Sequence, residues 1–410
     1  MPSIPPSLCI RCKGYKLLCG LPRCPILERF RAQTLTSVRI RGRELEGYTP
    51  PSAIVGEWGY PRVRVYYMVP PGEDRGRAWF YDAPREWAAR RVPLDSIVAL
   101  RSSLVSATLE LHVSDPWKLY EKEISLAAVS ERPVDSEALL KKPPEPRLRF
   151  DGVTKPVGPA SPAEKVVVAE NPRVPRPLEK ILWDDLRAEE AVLELYRRGI
   201  DVYTIQRAMS LGLLGRSRLR KLVPTRWAIT AVDDAVSREL RRRVRGYRWL
   251  GRVEVRVGEY LGNRFVVVLY PGAGTFEWIE VWHPRSLWTG RSREPLVWRL
   301  VENPMGRAPD IDGGFSAARL AVLEHLDARR LSADAIILRE ILPSYYAPVG
   351  NWQIRENVRI TMSKEPVVFE NLDEALRYAL TLLSASPDVI KRRSPIFAGK
   401  RQTRLTEFVR

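Results

Sequence analysis

Histidine is scarce in this chain of 410 residues, which contains only His112, His283 and His325. These residues are far apart in sequence, so we interpret each as a structural side chain and not as a metal ligand. Long apolar runs are also missing, and none approaches the length of a membrane span. The first seven residues lack the charged-then-apolar order of a signal peptide. Together these absences predict a cytoplasmic protein that does not cross a membrane.

Acidic residues are in the minority. The chain has 49 Asp and Glu against 67 Lys and Arg, which leaves a formal charge of +18. This excess predicts a polyanionic partner, and nucleic acid is the first candidate, because cationic side chains bind phosphates and release counterions. The alternative is a basic surface that only aids solubility, since net charge says nothing about fold or specificity. The length predicts two or three domains with a sizeable core.

Cysteine is also rare, and every cysteine lies near the N-terminus. The four are Cys9, Cys12, Cys19 and Cys24, in the spacing C-x2-C-x6-C-x4-C. Because disulfides are uncommon in the cytoplasm, this cluster needs another explanation. Four thiolates with this spacing predict a structural Zn²⁺ site, and Gly14 and Gly20 permit the tight backbone of a zinc knuckle. An iron–sulfur cluster is the alternative, since four cysteines can hold either.

Patterns in the first half of the chain predict a β-rich part followed by an extended one. Alternation predicts strands within 52–69 and 104–113, and a short helix covers 94–101. Proline is dense from Pro133 to Pro177, which predicts a linker or an arm that contributes one strand near 165–169. We therefore divide the chain into a four-cysteine zinc knuckle (1–28), a β-rich part (29–135), a proline-rich extended crossing (136–177), an α/β body (178–390) and a basic tether with a tail (391–410).

The start of the α/β body is rich in helical patterns and basic residues. Residues 178–198 predict one amphipathic helix. Residues 202–210 and 216–222, separated by glycines, fit a helix-turn-helix. Its second helix would expose four candidate nucleic-acid-binding residues, Arg216, Arg218, Arg220 and Lys221. These side chains would either read DNA sequence or contact phosphates without specificity.

Two adjacent carboxylates follow this basic segment. Asp233 and Asp234, with Arg226 nearby, could hold a divalent cation or supply a general base. The structural alternative is a helix start, with Thr230 as N-cap and Asp233 three residues later. The two interpretations are compatible for different members of the pair.

The C-terminal half predicts strands over 253–257, 265–270, 276–282 and 335–340, and a helix over 315–329 after Gly313-Gly314. Glu277 and Glu280 would point to opposite faces of their strand. We interpret Arg339-Glu340 as a pair at the end of the strand over 335–340, and Arg355-Glu356 as a pair at the end of a strand within 353–360. The free amides of the glycine pair suit a phosphate, and close helix packing is the alternative.

Charged residues from these blocks form our candidate catalytic group: Asp233, Asp234, Arg226, Arg319, Glu324, Arg339, Glu340, Arg355 and Glu356. Carboxylates would hold a divalent metal or act as a base, and arginines would stabilise the phosphate charge of DNA or a nucleotide. Ion-pair networks that bury charge without chemistry are the alternative.

The last nine residues have the spacing of a docking peptide. Gln402, Leu405, Phe408 and Val409 would place an amide beside a hydrophobic plug in one helical turn. This spacing resembles the peptide with which DNA-processing proteins bind the sliding clamp. The alternative is a frayed amphipathic C-terminus.

Three long blocks carry a wider resemblance: 223–234, 313–324 and 348–356. With them, the chain resembles the archaeal Nre family of DNA repair proteins over nearly its whole length, including the cysteine knuckle and the tail. The resemblance implies a role in DNA damage repair with the sliding clamp as partner, and it assigns no reaction.

We therefore predict an α+β fold with a mixed-sheet body and packed helices, an N-terminal four-cysteine zinc knuckle and a disordered C-terminal tail. The first hypothesis for function is a clamp-recruited repair factor that binds nucleic acid through an Arg-rich surface. The others are a metal- or nucleotide-dependent enzyme acting on damaged DNA or a nucleotide, and a repair scaffold without catalysis. The sequence leaves the oligomeric state and the reaction open.

Overall fold

The structure, a computed structural model, describes residues 6–40, 42–146, 157–286, 289, 292–303 and 312–399. The helices in this part of the chain are α1 (Pro6–Cys12), α2 (Pro25–Arg39), α3 (Arg75–Ala78), α4 (Pro84–Ala89), α5 (Leu94–Ser102), α6 (Trp117–Tyr120), α7 (Ile124–Ala128), α8 (Arg176–Leu182), α9 (Ala188–Arg197), α10 (Val202–Ser210), α11 (Thr225–Val244), α12 (Gly313–Arg329), α13 (Trp352–Met362), α14 (Leu372–Thr381) and α15 (Pro387–Lys391).

The strands are β1 (Glu44–Thr49), β2 (Ala53–Val55), β3 (Arg62–Val69), β4 (Val105–His112), β5 (Val134–Leu140), β6 (Ala160–Val168), β7 (Arg248–Trp249), β8 (Val253–Tyr260), β9 (Asn263–Pro271), β10 (Phe276–Trp282), β11 (Leu296–Val301), β12 (Leu331–Ile341) and β13 (Val367–Phe369). This mixture of helices and strands confirms the predicted α+β class.

The chain divides into two compact units. The N-terminal unit contains residues 24–239 and 347–353, and the C-terminal unit contains residues 1–23, 240–346 and 354–410. Each unit is built on its own mixed sheet.

The sheet of the N-terminal unit has the strand order β1-β5-β6-β4-β3-β2. Its pairs are antiparallel except for β4 and β6. On β3, Val63, Val65 and Tyr67 are buried while Arg62 and Arg64 are exposed. The alternation predicted from the sequence is therefore confirmed, with one face of the strand packed in the core.

The proline-rich stretch supplies two interior strands of this sheet, β5 and β6, where the sequence predicted at most one. Pro162 lies within β6, at the end of the β4–β6 ladder opposite Thr108. Proline has no backbone N–H to donate, but the β4–β6 ladder ends at this residue and does not need that donor. The Pro162 carbonyl still accepts from the Lys141 amide at 2.8 Å. Proline density alone is thus a poor guide to whether a strand is central.

The single helix predicted over 178–198 is wrong, because the segment forms α8 and α9. Helix α9 starts anew after Arg187, whose backbone N–H donates to the Glu190 carboxylate at 2.9 Å. This capping contact satisfies an amide at the start of the second helix.

The sheet of the C-terminal unit has the order β11-β10-β12-β9-β8-β13, and β7 pairs with β12. Strands β10 and β12 are parallel, whereas β9 lies antiparallel to β12. The carboxyl ends of β10 and β12 and the start of β9 therefore meet at one edge of the sheet.

The two faces of this sheet carry different helices. On one face, Val266, Ile279 and Leu338 share a buried cluster with Ala375 and Leu380 of α14. On the other, the ring of Trp278 lies 6.3 Å between centroids from Phe315 of α12. Since alternate residues of a strand face opposite sides, Glu277 points to the α14 face and Glu280 to the α12 face, as predicted.

The strand predicted over 353–360 is wrong, since this segment belongs to helix α13. Ile354, Val358 and Met362 are all buried. Their spacing of four residues is that of one helix face, and it was present in the sequence.

The beginning of the predicted tether packs against the C-terminal unit. Ile390 and Phe397 belong to the α14-face cluster, and the Ser394 hydroxyl donates to Glu277 at 2.6 Å. The predicted tail, 402–410, lies outside the described residues. No helix in the described part is long and apolar enough to span a bilayer.

Candidate functional site

The adjacent carboxylates of α11 face different surroundings. Asp233 is fully buried and accepts from the Gln206 side-chain amide at 2.8 Å. Asp234 is 42% exposed and pairs with Arg238 at 3.3 Å. Consecutive helical residues differ by about 100° around the axis, so the two carboxylates diverge.

The helix that carries this pair begins earlier than predicted, at Thr225. Thr230 lies within it, with its hydroxyl directed to the Arg226 carbonyl at 3.3 Å, so its predicted role as N-cap is wrong. Arg226 is exposed and lies 3.6 Å from Glu57. Among the described residues, no three His, Cys, Asp or Glu side chains group closely enough to hold a metal ion.

The four cysteines lie close together in sequence but form no metal-binding group among the described residues. Cys9, Cys12, Cys19 and Cys24 all lie in the described part of the chain and form no disulfide. The backbone N–H of Leu18 donates to the Cys12 sulfur at 3.4 Å. Four thiols are the donor set of structural zinc, but these four described side chains do not form the tetrahedral arrangement.

The predicted helix-turn-helix is wrong, because residues 216–222 contain only a 3-10 turn at Ser217–Leu219. Arg220, predicted to be exposed, is buried and donates to the carbonyls of Gly215 at 2.7 Å and Leu182 at 2.9 Å. Its guanidinium also lies 5.5 Å from the Trp117 ring centroid. Arg220 thus fastens this segment to the body.

Around this anchor, Arg216, Arg218 and Lys221 are exposed. We call residues 215–222 the basic loop. It belongs wholly to the N-terminal unit. Its three solvent-facing cations are held on a short backbone that is fixed by the two hydrogen bonds of the Arg220 side chain.

At the edge where β9, β10 and β12 meet, Arg339 is the centre of a buried polar cluster. It donates to the Glu280 carboxylate at 2.6 Å and twice to the Asn263 side-chain oxygen, at 2.9 and 2.7 Å. Its guanidinium lies 5.5 Å from the Trp282 ring centroid and 6.0 Å from that of Tyr345. These planar contacts hold Arg339 in one orientation.

Glu280 has an unusual proton affinity for a carboxyl group. Burial raises its pKa, the nearby charge of Asp312 raises it further, and Arg339 only partly opposes this. Asp312 is the N-cap of α12 and accepts from the Phe315 amide at 2.8 Å. The structure therefore joins an acid with a raised pKa, a carboxylate at a helix start, and an arginine.

A second buried network of ion pairs is centred on Glu302. This carboxylate accepts from Arg241 at 2.7 and 2.6 Å and from Arg319 at 2.8 Å. All three side chains are almost inaccessible to solvent. Burial lowers the pKa of Arg241, and Glu302 opposes the shift.

The remaining candidate residues form separate networks. Arg359 holds Glu324 at 2.8 and 2.7 Å and Glu356 at 2.7 Å, while Arg355 is fully buried. Arg319 and Glu324 therefore have different partners, although both lie on α12.

Glu340 lies on the α14 face, away from its neighbour Arg339. It accepts from His283 at 2.7 Å and from the amides of Ser384 and Ala385, each at 2.8 Å. Burial alone would raise the pKa of Glu340, but these hydrogen bonds and Arg264 outweigh it and lower the pKa. Glu340 and His283 thus anchor the chain after α14.

Comparison with known proteins connects this architecture to one family. The family descriptions "Archaeal Nre, N-terminal" and "Archaeal Nre, C-terminal" match residues 18–289 and 302–408. The chain belongs to the archaeal Nre family. DNA repair protein NreA of Archaeoglobus fulgidus is 37% identical over 375 residues, covering 90% of this chain and 92% of the relative. DNA repair protein NreB of the same organism is 37% identical over 381 residues, with the same coverage.

A relative from a second organism shows a similar extent of identity to this Nre chain. DNA repair protein NreA of Haloferax volcanii is 36% identical over 379 residues, covering 90% of each chain. No solved structure matches. The resemblance inferred from the three sequence blocks is therefore confirmed over almost the whole chain.

Four residues of these buried networks were not among the candidates predicted from the sequence, namely Asn263, Glu280, Glu302 and Asp312. Sequence signals pointed to two of them. Asp312 directly precedes Gly313-Gly314 and caps α12, and Glu280 interrupts an apolar, aromatic strand. Burying a carboxyl group on a strand costs free energy unless the group is paired, so a glutamate in such a strand indicates a buried polar partner. The partners Asn263 and Glu302 have no comparable signal.

The Glu280 cluster, which consists of Glu280, Arg339, Asn263 and Asp312, combines a carboxyl group of raised pKa with a fixed arginine. A carboxyl group with a raised pKa is protonated to higher pH, and a fixed arginine beside it can stabilise an anion. The Glu302, Glu340 and Arg359 networks pair their charges closely and suit a structural role.

Proposed function

We propose that the protein is a DNA-binding repair factor that is recruited to the sliding clamp. The basic loop carries the DNA-binding part of this proposal. Its cations Arg216, Arg218 and Lys221 face solvent, while Arg220 holds the backbone through two carbonyls. Cations on a fixed loop bind phosphates with less loss of conformational entropy than cations on a mobile segment. The similar proteins of Archaeoglobus fulgidus and Haloferax volcanii are named DNA repair proteins, which agrees with this role.

A triple variant, Arg216→Ser with Arg218→Ser and Lys221→Ser, tests the loop. Each lost phosphate contact lowers the slope of log K against log salt by about 0.9, so three contacts lower it by about 2.7. Fluorescence anisotropy with a labelled duplex at several salt concentrations measures this slope.

The matched control removes the same charge elsewhere in the N-terminal unit: Arg43→Ser, Arg90→Ser and Arg173→Ser, all at exposed ion pairs. A slope that falls equally in both triple variants would show that net charge, and not the basic loop, governs binding.

Recruitment to the clamp is assigned to Gln402, Leu405, Phe408 and Val409. An apolar plug on a short turn suits a hydrophobic groove, because a few buried anchors supply most of the binding energy of such peptides. Phe408→Ala should abolish clamp binding in titration calorimetry, whereas Thr406→Ala should leave it intact. Unchanged binding by the Phe408 variant would remove the tail from the proposal.

We also propose that Cys9, Cys12, Cys19 and Cys24 hold a structural zinc ion. The spacing of the four cysteines and the hydrogen bond from the Leu18 amide to the Cys12 sulfur support this assignment. Elemental analysis of purified protein should give about one zinc per chain, as expected for a site with four thiolate ligands. Cys12→Ser should lower both the metal content and the melting temperature. Iron with visible absorbance would favour the iron–sulfur alternative, and protein without bound metal would reject both.

A second candidate function is acid–base chemistry on damaged DNA or a nucleotide, and the Glu280 cluster favours it. Buried carboxyl groups with a raised pKa beside a fixed arginine are common in catalytic sites, although structural networks shift pKa values too. Of the nine charged residues proposed from the sequence, Arg339 belongs to this cluster; catalytic roles for the other eight stay predictions.

The test compares wild type with Glu280→Gln on oligonucleotides that each carry one lesion and on free nucleotides. Loss of turnover with an unchanged melting temperature would support catalysis. Full turnover in the variant would reject Glu280 as the acid, and a wild type that binds the clamp without binding DNA or turning it over would indicate a scaffold.

A further inference from the structure

The N-terminal unit displays three aromatic side chains that a soluble protein would normally bury in part. Trp58 is 76% exposed, Tyr60 51% and Trp227 48%. Large aromatic rings in water carry a hydrophobic cost, so several at one place indicate a binding surface. None of them belongs to the basic loop or to the Glu280 cluster.

Two of these rings, those of Tyr60 and Trp227, come together although they are distant in sequence. Trp58 and Tyr60 lie on the turn between β2 and β3, and Trp227 lies in the first turn of α11. The rings of Tyr60 and Trp227 are 5.5 Å apart between centroids. We call Trp58, Tyr60 and Trp227 the aromatic platform.

The backbone beneath the platform is fixed at both contributing elements. The Val55 amide donates to the Thr225 hydroxyl at 2.8 Å, which ties β2 to the start of α11. Within the turn, the Arg62 amide donates to the Gly59 carbonyl at 2.8 Å. Gly59 has a φ of +87°, and an added Cβ would lie 2.8 Å from the Arg62 carbonyl oxygen, so the turn needs a glycine there.

Three exposed arginines lie on the elements that carry the platform or directly beside them. Arg62 and Arg64 are exposed on one face of β3, next to the turn that carries Trp58 and Tyr60, and Arg226 is 61% exposed beside Trp227. The acidic neighbours are Glu57, 3.6 Å from Arg226, and Glu110, opposite Arg64 on β4. Among these five charged side chains, the arginines outnumber the carboxylates by one.

We propose that the aromatic platform binds unpaired bases of single-stranded DNA by stacking, while its arginines contact the phosphates. Every base has a π-face that stacks on an aromatic ring, and paired bases within a duplex do not offer that face. Rings interleaved with arginines match this ligand, whereas duplex binding needs only the cations. The inference rests on the proposed DNA-binding function and adds to it the class of DNA that is recognised.

The experiment measures the affinity of the full-length protein for an oligo-dT strand and for a duplex of equal length, by fluorescence anisotropy. Trp58→Ala should weaken single-strand binding by about 5- to 150-fold, the range for the loss of one stacked base, and leave duplex binding within about twofold. Trp58→Phe, which keeps a ring, should restore part of the loss. Trp249→Ala removes an indole that is 54% exposed in the other unit and serves as the control.

The possible outcomes separate this inference from the DNA-binding proposal. If Trp58→Ala weakens single-strand and duplex binding equally, or neither, the platform does not recognise unpaired bases. If duplex binding still depends on the basic loop, the DNA-binding proposal survives that result. If the wild type binds neither DNA, both fail. Loss of a protein partner in the Trp58 variant, with DNA binding unchanged, would overturn the inference and assign the platform to protein recognition.

Discussion

Removing the charge of Glu302 from its buried network should destabilise the C-terminal unit. Glu302→Gln removes the negative charge that two buried arginines share, with no measurable side-chain exposure at Glu302 and only 7% and 6% at Arg241 and Arg319. The glutamine oxygen can still accept one hydrogen bond, but its amide group faces a guanidinium. Breaking one side of a buried ion pair costs about 3–5 kcal/mol, and we expect about 3 kcal/mol here.

The assay should report on that unit alone. Hydrogen exchange of the β12 amides measures the free energy of opening its sheet, which avoids assuming that both units unfold together. Glu370→Gln is the matched control, because Glu370 is 75% exposed and pairs with Arg252 at 3.3 Å in the same unit. The control should cost less than about 1 kcal/mol. A loss below about 1 kcal/mol for Glu302→Gln would refute our account of the network.

A double variant separates charge from packing. Adding Arg319→Met to Glu302→Gln removes one of the two uncompensated cations and leaves a side chain of similar length. Part of the lost stability should return, because a buried ion pair is often replaced by apolar residues at little cost. No recovery would mean that the Arg319 side chain stabilises the unit by its contact with the Phe315 ring, 5.4 Å away.

Two further predictions concern the same unit. Burial and the cations Arg256 and Arg329 lower the pKa of His325 from 6.5 to about 4. Between these two pH values the unfolded chain binds more protons than the folded chain, so the stability falls as the pH drops through this window. Urea titrations should show a smaller fall for His325→Gln than for the wild type. Gly272→Ala should lower the free energy of unfolding by about 1–3 kcal/mol, because its Cβ would overlap the Asp334 carboxylate. That carboxylate accepts from the Thr275 amide at 2.9 Å. The control Gly251→Ala has open space around its Cβ and should change the melting temperature little.

Sequence periodicity predicted most of the C-terminal sheet correctly. Strands β8, β9, β10 and β12 and helix α12 were all predicted, because their apolar residues repeat at the strand or helix period over long stretches. The sequence prediction failed at 353–360, where buried residues four apart were present but the pair Arg355-Glu356 suggested a strand end. It failed again at 216–222, where four cations suggested a surface helix and one of them, Arg220, is a buried anchor.

The candidate site was harder to predict for a physical reason. The sequence does not show how deeply a charged residue is buried or which residue it pairs with. Asp233 and Asp234 are adjacent and look like a pair, yet the helix turns them apart. Glu280, Arg339 and Asn263 come from three strands and meet only when those strands pair in register.

What the sequence by itself determined is the chemistry that the chain carries: its basic balance, its four clustered cysteines, the period of its strands and its likeness to the Nre family. These properties are local or additive, so they are visible without coordinates. Tertiary structure alone decided which charges are buried with which partners, which cations face water, and that the ring of Trp227 lies against that of Tyr60. Such pairings depend on contacts between distant segments, and those contacts exist only once the chain has folded.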